Sequence, residues 1–291
     1  MTSSNSSIGG PLRRYEGTPR NLNALNVRIR NCLATKDPVL ERRMRVTLAN
    51  VIVGQMLPDG AVKGGTAMKL RLGHEGSRFT PDLDTARRDG EREFLSEFRV
   101  NLDAGWNGFT GRIVPRSAPR PAGIPTEYVM TPYDVKVAFN GKSWHTVTVE
   151  LGHNEIGDAD DPEYHLAPDI IEWFVALGLP SPAPIAVMRA DHQIAQKLHA
   201  CSSPESERAH DLVDLQLLAE IRELNLSQVR GTAERLFTYR QAHEWPPTIV
   251  AGAEWGSIYA EAADGLPVLR SVEEAVSWAN GFIAGIVGSN T

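Results

Sequence analysis

The segment Ala61-Val62-Lys63-Gly64-Gly65 constrains the fold more than any other. A short apolar strand runs into a glycine pair, and a helix, Thr66–Leu72, opens directly from the turn. A strand handed to a helix in this way belongs to α/β architectures, where the helix packs back on the sheet. Apolar periodicity predicts further helices over Asp37–Leu57 and Gly90–Leu102, and strands over Phe109–Val114, Tyr133–Phe139 and Trp144–Leu151. Asn140-Gly141 joins the last two strands, and both residues tolerate the positive φ of a type I′ hairpin turn.

Beyond a Pro-rich stretch, Pro180–Pro184, which reads as a hinge, the pattern is helical almost throughout. Ser203-Pro204 resembles an N-cap with proline at the first helical position, predicting a helix to about Ile221. Ser271-Val272-Glu273-Glu274 is a capping box for the last helix. The expected organisation is therefore a flexible basic arm over residues 1–20, a mixed-sheet α/β domain over 21–160 and a mainly helical domain over 161–291.

The charge divides along the same line. Residues 1–150 hold 22 Lys and Arg against 15 Asp and Glu, a balance of +7, whereas residues 151–291 hold 8 against 21, a balance of −13. A basic half suits a polyanionic partner, and Arg13, Arg14 and Arg20 in the arm add to it. No apolar run approaches the roughly 18 residues of a membrane span, and the polar start lacks the core of a signal peptide. Cys32 and Cys201 are too few for a disulfide framework, so a reducing, cytoplasmic setting is expected. The histidines form no HExxH or other zinc spacing, and Cys201 reads as a buried structural thiol.

Chemistry concentrates after the glycine turn. In an extended Arg78–Asp84, Phe79, Pro81 and Leu83 point one way while Thr80, Asp82 and Asp84 point the other. Two carboxylates on one face repel unless water or a cation lies between them, and this spacing suits Mg2+. The glycine turn lets backbone N–H groups and the helix N-terminus approach phosphate. In Trp144–Leu151 the apolar face is Val147, Val149 and Leu151, which leaves Glu150 on the other face as a third acid. Such a carboxylate cluster can hold metal ions around an in-line phosphoryl displacement.

Lys63-Gly64-Gly65-Thr66-Ala67, followed by Arg78-Phe79-Thr80-Pro81-Asp82-Leu83-Asp84, resembles the first motif of the AbiEii/MenT nucleotidyltransferase toxins, a branch of the DNA polymerase β-like superfamily. A second stretch, Lys197 and then Arg208-Ala209-His210-Asp211-Leu212-Val213-Asp214-Leu215, resembles that family's later Lys and Asp-x-x-Asp-Leu pattern, with His210 where Lys is usual. The resemblance implies a nucleotidyltransferase core with a mixed sheet. Asp82, Asp84 and Glu150 would carry Mg2+ (or Mn2+), while Lys63, Gly64, Gly65, Thr66, Thr80 and Arg208 would contact the nucleotide. Lys197 would face the triphosphate as a catalytic cation, and Asp211 would either orient Lys197 or bind the base or ribose. Without the resemblance, Arg208, Asp211 and Asp214 read as an ordinary surface charge network on a helix.

The implied activity is transfer of a nucleoside monophosphate from an NTP to the 3′ end of tRNA, with pyrophosphate released. That would block aminoacylation and make the protein the toxin of a pair with a cognate antitoxin. A phosphate on Thr80 would obstruct the incoming triphosphate and would be one route for the antitoxin, with steric blocking and transcriptional control as the alternatives. Transfer to a protein or small molecule, or a non-catalytic binding scaffold, are the competing readings.

Overall fold

A computed structural model describes residues 11–33, 36–117 and 130–289, and the chain divides into two compact units. The first comprises residues 1–75, 79–154 and 162–187, and the second residues 76–78, 155–161 and 188–291.

The first unit opens with α1 (Leu22–Cys32) and α2 (Pro38–Gly54). α2 begins where the sequence predicts, because the Asp37 carboxylate accepts from the Val39 N–H and Pro38 occupies the first turn. The strands β1 (Gly60–Val62), β2 (Leu83–Arg87), β3 (Phe109–Pro115), β4 (Thr131–Phe139), β5 (Lys142–Gly152), β6 (Glu163–His165) and β7 (Ile185–Val187) form one mixed sheet in the order β3-β4-β5-β2-β1-β7-β6. α3 (Gly64–Leu72) leaves β1, α4 (Glu91–Ala104) precedes β3, and α5 (Pro168–Ala176) lies between β6 and β7. One sheet face packs Leu83, Val135, Val137, Val147 and Val149 with Leu48, Ile52, Phe98 and Phe174 in a continuous core. The β4–β5 turn is the expected one, with Asn140 at φ 47° and Gly141 at φ 77°.

The boundary expected at 160/161 moves. Residues 162–187 return to the sheet, since β7 pairs in parallel with β1 through Val62 and Val187, and β6 extends it antiparallel. Three-residue strands carry too little periodicity to be seen in the sequence. The Pro-rich stretch is held rather than hinged: the Gln55 side chain accepts from the Ala183 N–H and donates to its C=O, both at 2.9 Å. Residues 11–20, expected as a flexible arm, are fastened by backbone bonds from Arg13 to Cys32 and from Tyr15 to Ala176, both 2.8 Å. Arg14 pairs with Glu172, so it is partly spent within the unit. The first ten residues of that arm lie outside the described residues.

The second unit is helical: α6 (Ala190–Ser202), α7 (His210–Ala219), α8 (Leu226–Arg240), α9 (Trp255–Ala263) and α10 (Val272–Gly288). Leu198, Leu212, Leu215, Leu236, Trp255 and Ile283 are buried within it. The capping box at Ser271 and Glu274 is present. The helix expected from Ser203-Pro204 is not. The hydroxyls of Ser202, Ser203 and Ser206 donate to the last carbonyls of α6, those of Leu198, His199 and Ala200, at 2.7–2.8 Å. These serines end α6 instead, and α7 begins only at His210.

Candidate active site

In the first unit the site is built around the glycine turn. Gly64 has φ +63°, where a side chain is strained, and a Cβ there would coincide with Asp84 Oδ2. A Cβ on Gly65 would come within 2.9 Å of Thr80 Cβ. Asp84 and Thr80 therefore both lie against the turn, and neither approach tolerates a larger residue. No side chain caps α3 at Lys63, and the Lys63 N–H donates to the Asp84 carbonyl at 2.8 Å. A helix N-terminus favours negative charge, whether a carboxylate or a phosphate.

Asp84 stands directly opposite Glu150 in the parallel β2–β5 ladder, so the two carboxylates share a sheet face. Asp82 precedes the strand, which begins only at Leu83. The expected alternation therefore fails upstream: Pro81 is exposed, while Thr80 is buried. Side chains replace the ladder there. Thr66 donates to the Asp82 carbonyl at 2.6 Å, and Asn50 Nδ2 reaches the Pro81 carbonyl at 3.4 Å. Burial raises the Asp82 pKa, and the Arg116 guanidinium partly opposes that shift. Asn50 was not legible as a site residue, because it sits amid the apolar residues of α2 and meets Pro81 only in the fold.

Among the described residues no three acidic, histidine or cysteine side chains converge into a preformed metal shell. Mg2+ needs only one or two carboxylates and takes water and phosphate for the rest. The Asp84–Glu150 pair, with Asp82 beside it in sequence, fits that requirement.

The second unit holds the other motif. Lys197 Nζ donates to Asp211 at 2.8 Å and to Asp214 at 2.6 Å. Arg208 pairs with Asp211 at 2.9 Å, and Arg78, which belongs to this unit, pairs with Asp214 at 3.1 Å. Three cations thus meet two carboxylates that are 0% exposed, so this is not a surface network. Burial alone would lower the Lys197 pKa, but Asp211 and Asp214 outweigh it and raise the pKa, holding the ammonium charged. Burial would likewise raise the Asp211 pKa, and Lys197 and Arg208 bring it down instead. His210 is pushed down to about 4 by burial, despite the neighbouring Asp211, and stays neutral. Cys201 is buried and its pKa is raised by burial, in keeping with a structural thiol. Among the described residues no helix is long and apolar enough to cross a membrane.

Comparison with known proteins places the chain in a family. The family model described as nucleotidyl transferase AbiEii toxin, type IV TA system, matches residues 49–278. MenT4, a nucleotidyltransferase toxin of Mycobacterium tuberculosis H37Rv, is similar in fold, with a TM-score of 0.54 and 17% identity over 88% of this chain and 87% of that one. JHP933 of Helicobacter pylori gives a TM-score of 0.43 at 18% identity, over 82% of this chain and 88% of that one. A further H. pylori structure described as a nucleotidyltransferase gives 0.45 at 17% identity, over 86% and 95%. No curated protein matches the chain. Such an enzyme draws its nucleotide from a nucleoside triphosphate, typically with a divalent cation, and a toxin of this kind has an antitoxin as its partner. The family match runs from α2 to α10, and the chain belongs to the AbiEii nucleotidyltransferase toxins of toxin–antitoxin systems.

Proposed function

We propose that the protein transfers a nucleoside monophosphate from an NTP to the 3′ end of tRNA, which blocks aminoacylation and arrests translation in the cytoplasm. The observation that carries the reading is the placement of Asp84: in register with Glu150, and pressed against the Gly64 turn at the N-terminus of α3. Carboxylates beside a phosphate-accepting turn are what nucleotidyl transfer requires.

The 3′-hydroxyl oxygen attacks the α-phosphorus, the bond from that phosphorus to the bridging oxygen breaks, and pyrophosphate leaves. The hydroxyl proton is taken up by a carboxylate of the cluster. Asp84 and Glu150, with Asp82, would hold Mg2+, which would neutralise charge on the phosphates. Gly64, Gly65 and Thr66 receive the phosphates through the backbone at the start of α3, and Lys63 adds a cation beside them. Thr80 fills the space under Gly65 and fixes the turn. In the second unit, Asp211 and Asp214 hold Lys197 charged and in one place, as a catalytic cation must be, and Arg208 completes that cluster.

Each labelled NTP incubated with total tRNA and, separately, with total cellular protein tests the reading. Label on the tRNA 3′ end is expected. Label on protein alone would replace the RNA acceptor with a protein one.

A further inference from the structure

The face of β3, β4 and β5 turned away from the core forms three successive rungs that end at the carboxylates. Arg112, Lys136 and Thr146 stand opposite one another in the first rung. Val114, Asp134 and Thr148 form the second. In the third, the Arg116 N–H continues the ladder to the Pro132 carbonyl at 3.1 Å, Pro132 pairs with Glu150, and Glu150 with Asp84. Residues directly opposite share a face, as do residues two apart along a strand. Arg112, Lys136 and Arg116 therefore lie on the same side as Asp84 and Glu150. The other side carries Val135, Val137, Val147 and Val149, all in the core.

The cations on this face are accessible: Arg112 is exposed, and the Arg116 and Lys136 side chains are 50% and 44% exposed. Asp134 contacts both Lys136, at 3.1 Å, and Arg116, at 3.6 Å, and so offsets one of the three charges. Arg116 also donates to the Thr148 hydroxyl at 3.1 Å, reaching across to β5 just short of Glu150. Thr146 and Thr148 add hydroxyls between these cations and Glu150. Four residues of strand separate its outer rung from the carboxylate rung, roughly 13 Å at about 3.3 Å per residue. At about 3.4 Å per stacked nucleotide, that length holds about four nucleotides.

We propose that this face is the platform for the acceptor RNA, with Arg112, Lys136 and Arg116 binding the backbone phosphates of the last few nucleotides and delivering the 3′ end to Asp84 and Glu150. The proposal rests on the RNA-acceptor reading above and adds where the RNA lies. Charge complementarity and the register with the carboxylates select this occupant. An acidic protein tail would meet the charges but would gain nothing from a platform leading to a nucleotidyl-transfer site.

The test uses the full-length protein, a fluorescently labelled total tRNA pool and the charge reversal Arg112→Glu/Lys136→Glu. The milder Arg112→Gln/Lys136→Gln provides a second variant should reversal disturb folding. RNA affinity is measured by anisotropy across a salt series, and NTP binding by calorimetry. The reversal is expected to weaken RNA binding 10- to 100-fold, to reduce the log–log salt slope by about 1.5 units, and to leave NTP binding unchanged. The neutral variant should show the same flattening with a smaller affinity loss. Unchanged affinity and slope in both variants, with wild-type protein still labelling tRNA, would overturn the platform and leave the RNA acceptor standing. Wild-type protein that labels protein and no RNA would overturn both.

Discussion

Replacing Lys197 by methionine separates what this residue does for the fold from what it does for the reaction. Its ammonium lies between two carboxylates that are 0% exposed, Asp211 and Asp214. Removing one partner of a buried ion pair leaves charge without compensation and typically costs about 3–5 kcal/mol. Arg208 still reaches Asp211 and Arg78 still reaches Asp214, which points to the lower end, about 3 kcal/mol. Against a typical total of about 5–15 kcal/mol, that is a large fraction of the stability. Urea unfolding followed by circular dichroism gives the loss directly. The companion variant Lys197→Met/Asp211→Asn removes a negative charge along with the positive one and should recover about half or more of it. Nucleotide transfer should stay depressed on the order of 10²–10³-fold in both variants, if Lys197 also stabilises phosphate charge in the transition state. A Lys197→Met protein within about 1 kcal/mol of wild type would refute the buried-pair argument. Recovery of transfer together with stability in the double variant would remove Lys197 from the reaction.

Asp82→Asn and Asp84→Asn each remove a charge at nearly constant shape and should abolish transfer while leaving the melting temperature within a few degrees; near-normal turnover by Asp84→Asn would sink the carboxylate site. Gly64→Ala places a Cβ on Asp84 Oδ2 at a left-handed backbone position. It should cost about 1–2 kcal/mol in stability and reduce transfer by at least tenfold, which melting and single-turnover assays can check. Acid should destabilise the protein through its buried histidines. Burial lowers His74 and His210 to about 4 and His199 to about 3, so their contribution is complete above the unfolded value of 6.5. It is lost on acidification as the unfolded chain takes up protons the folded chain refuses, at up to about 4 kcal/mol per pH unit for three groups. Urea midpoints that stay level from pH 7 to pH 4.5 would contradict this.

What was legible in the sequence depended on how local its cause was. The Ser271–Glu274 box and the Asn140-Gly141 turn are made by residues within four positions of each other, and both stand as expected. Glu150 was legible as an acid facing away from Val147 and Val149, although its place opposite Asp84 is a property of a ladder joining residues 66 positions apart. The start of α7 was misplaced because Ser203 can cap the helix after it or close the one before, and only the free carbonyls of α6 decide. β6 and β7 are defined by partners rather than by pattern. Asn50 and Arg116 were missed for the same reason: one reads as a polar interruption in an apolar helix and the other as a loop arginine, until the fold brings them to Pro81 and Thr148.

The return of residues 162–187 to the first unit has a consequence during synthesis. β1 cannot complete its pairing until Val187 has left the ribosome, about 125 residues after Val62, which at about 5–20 residues per second is roughly 6–25 s. Until then β1 keeps an open edge beside the glycine turn, and an open edge is a docking place for any other extended chain. Ribosome-bound chains halted before and after residue 187 would differ in protease resistance at this sheet.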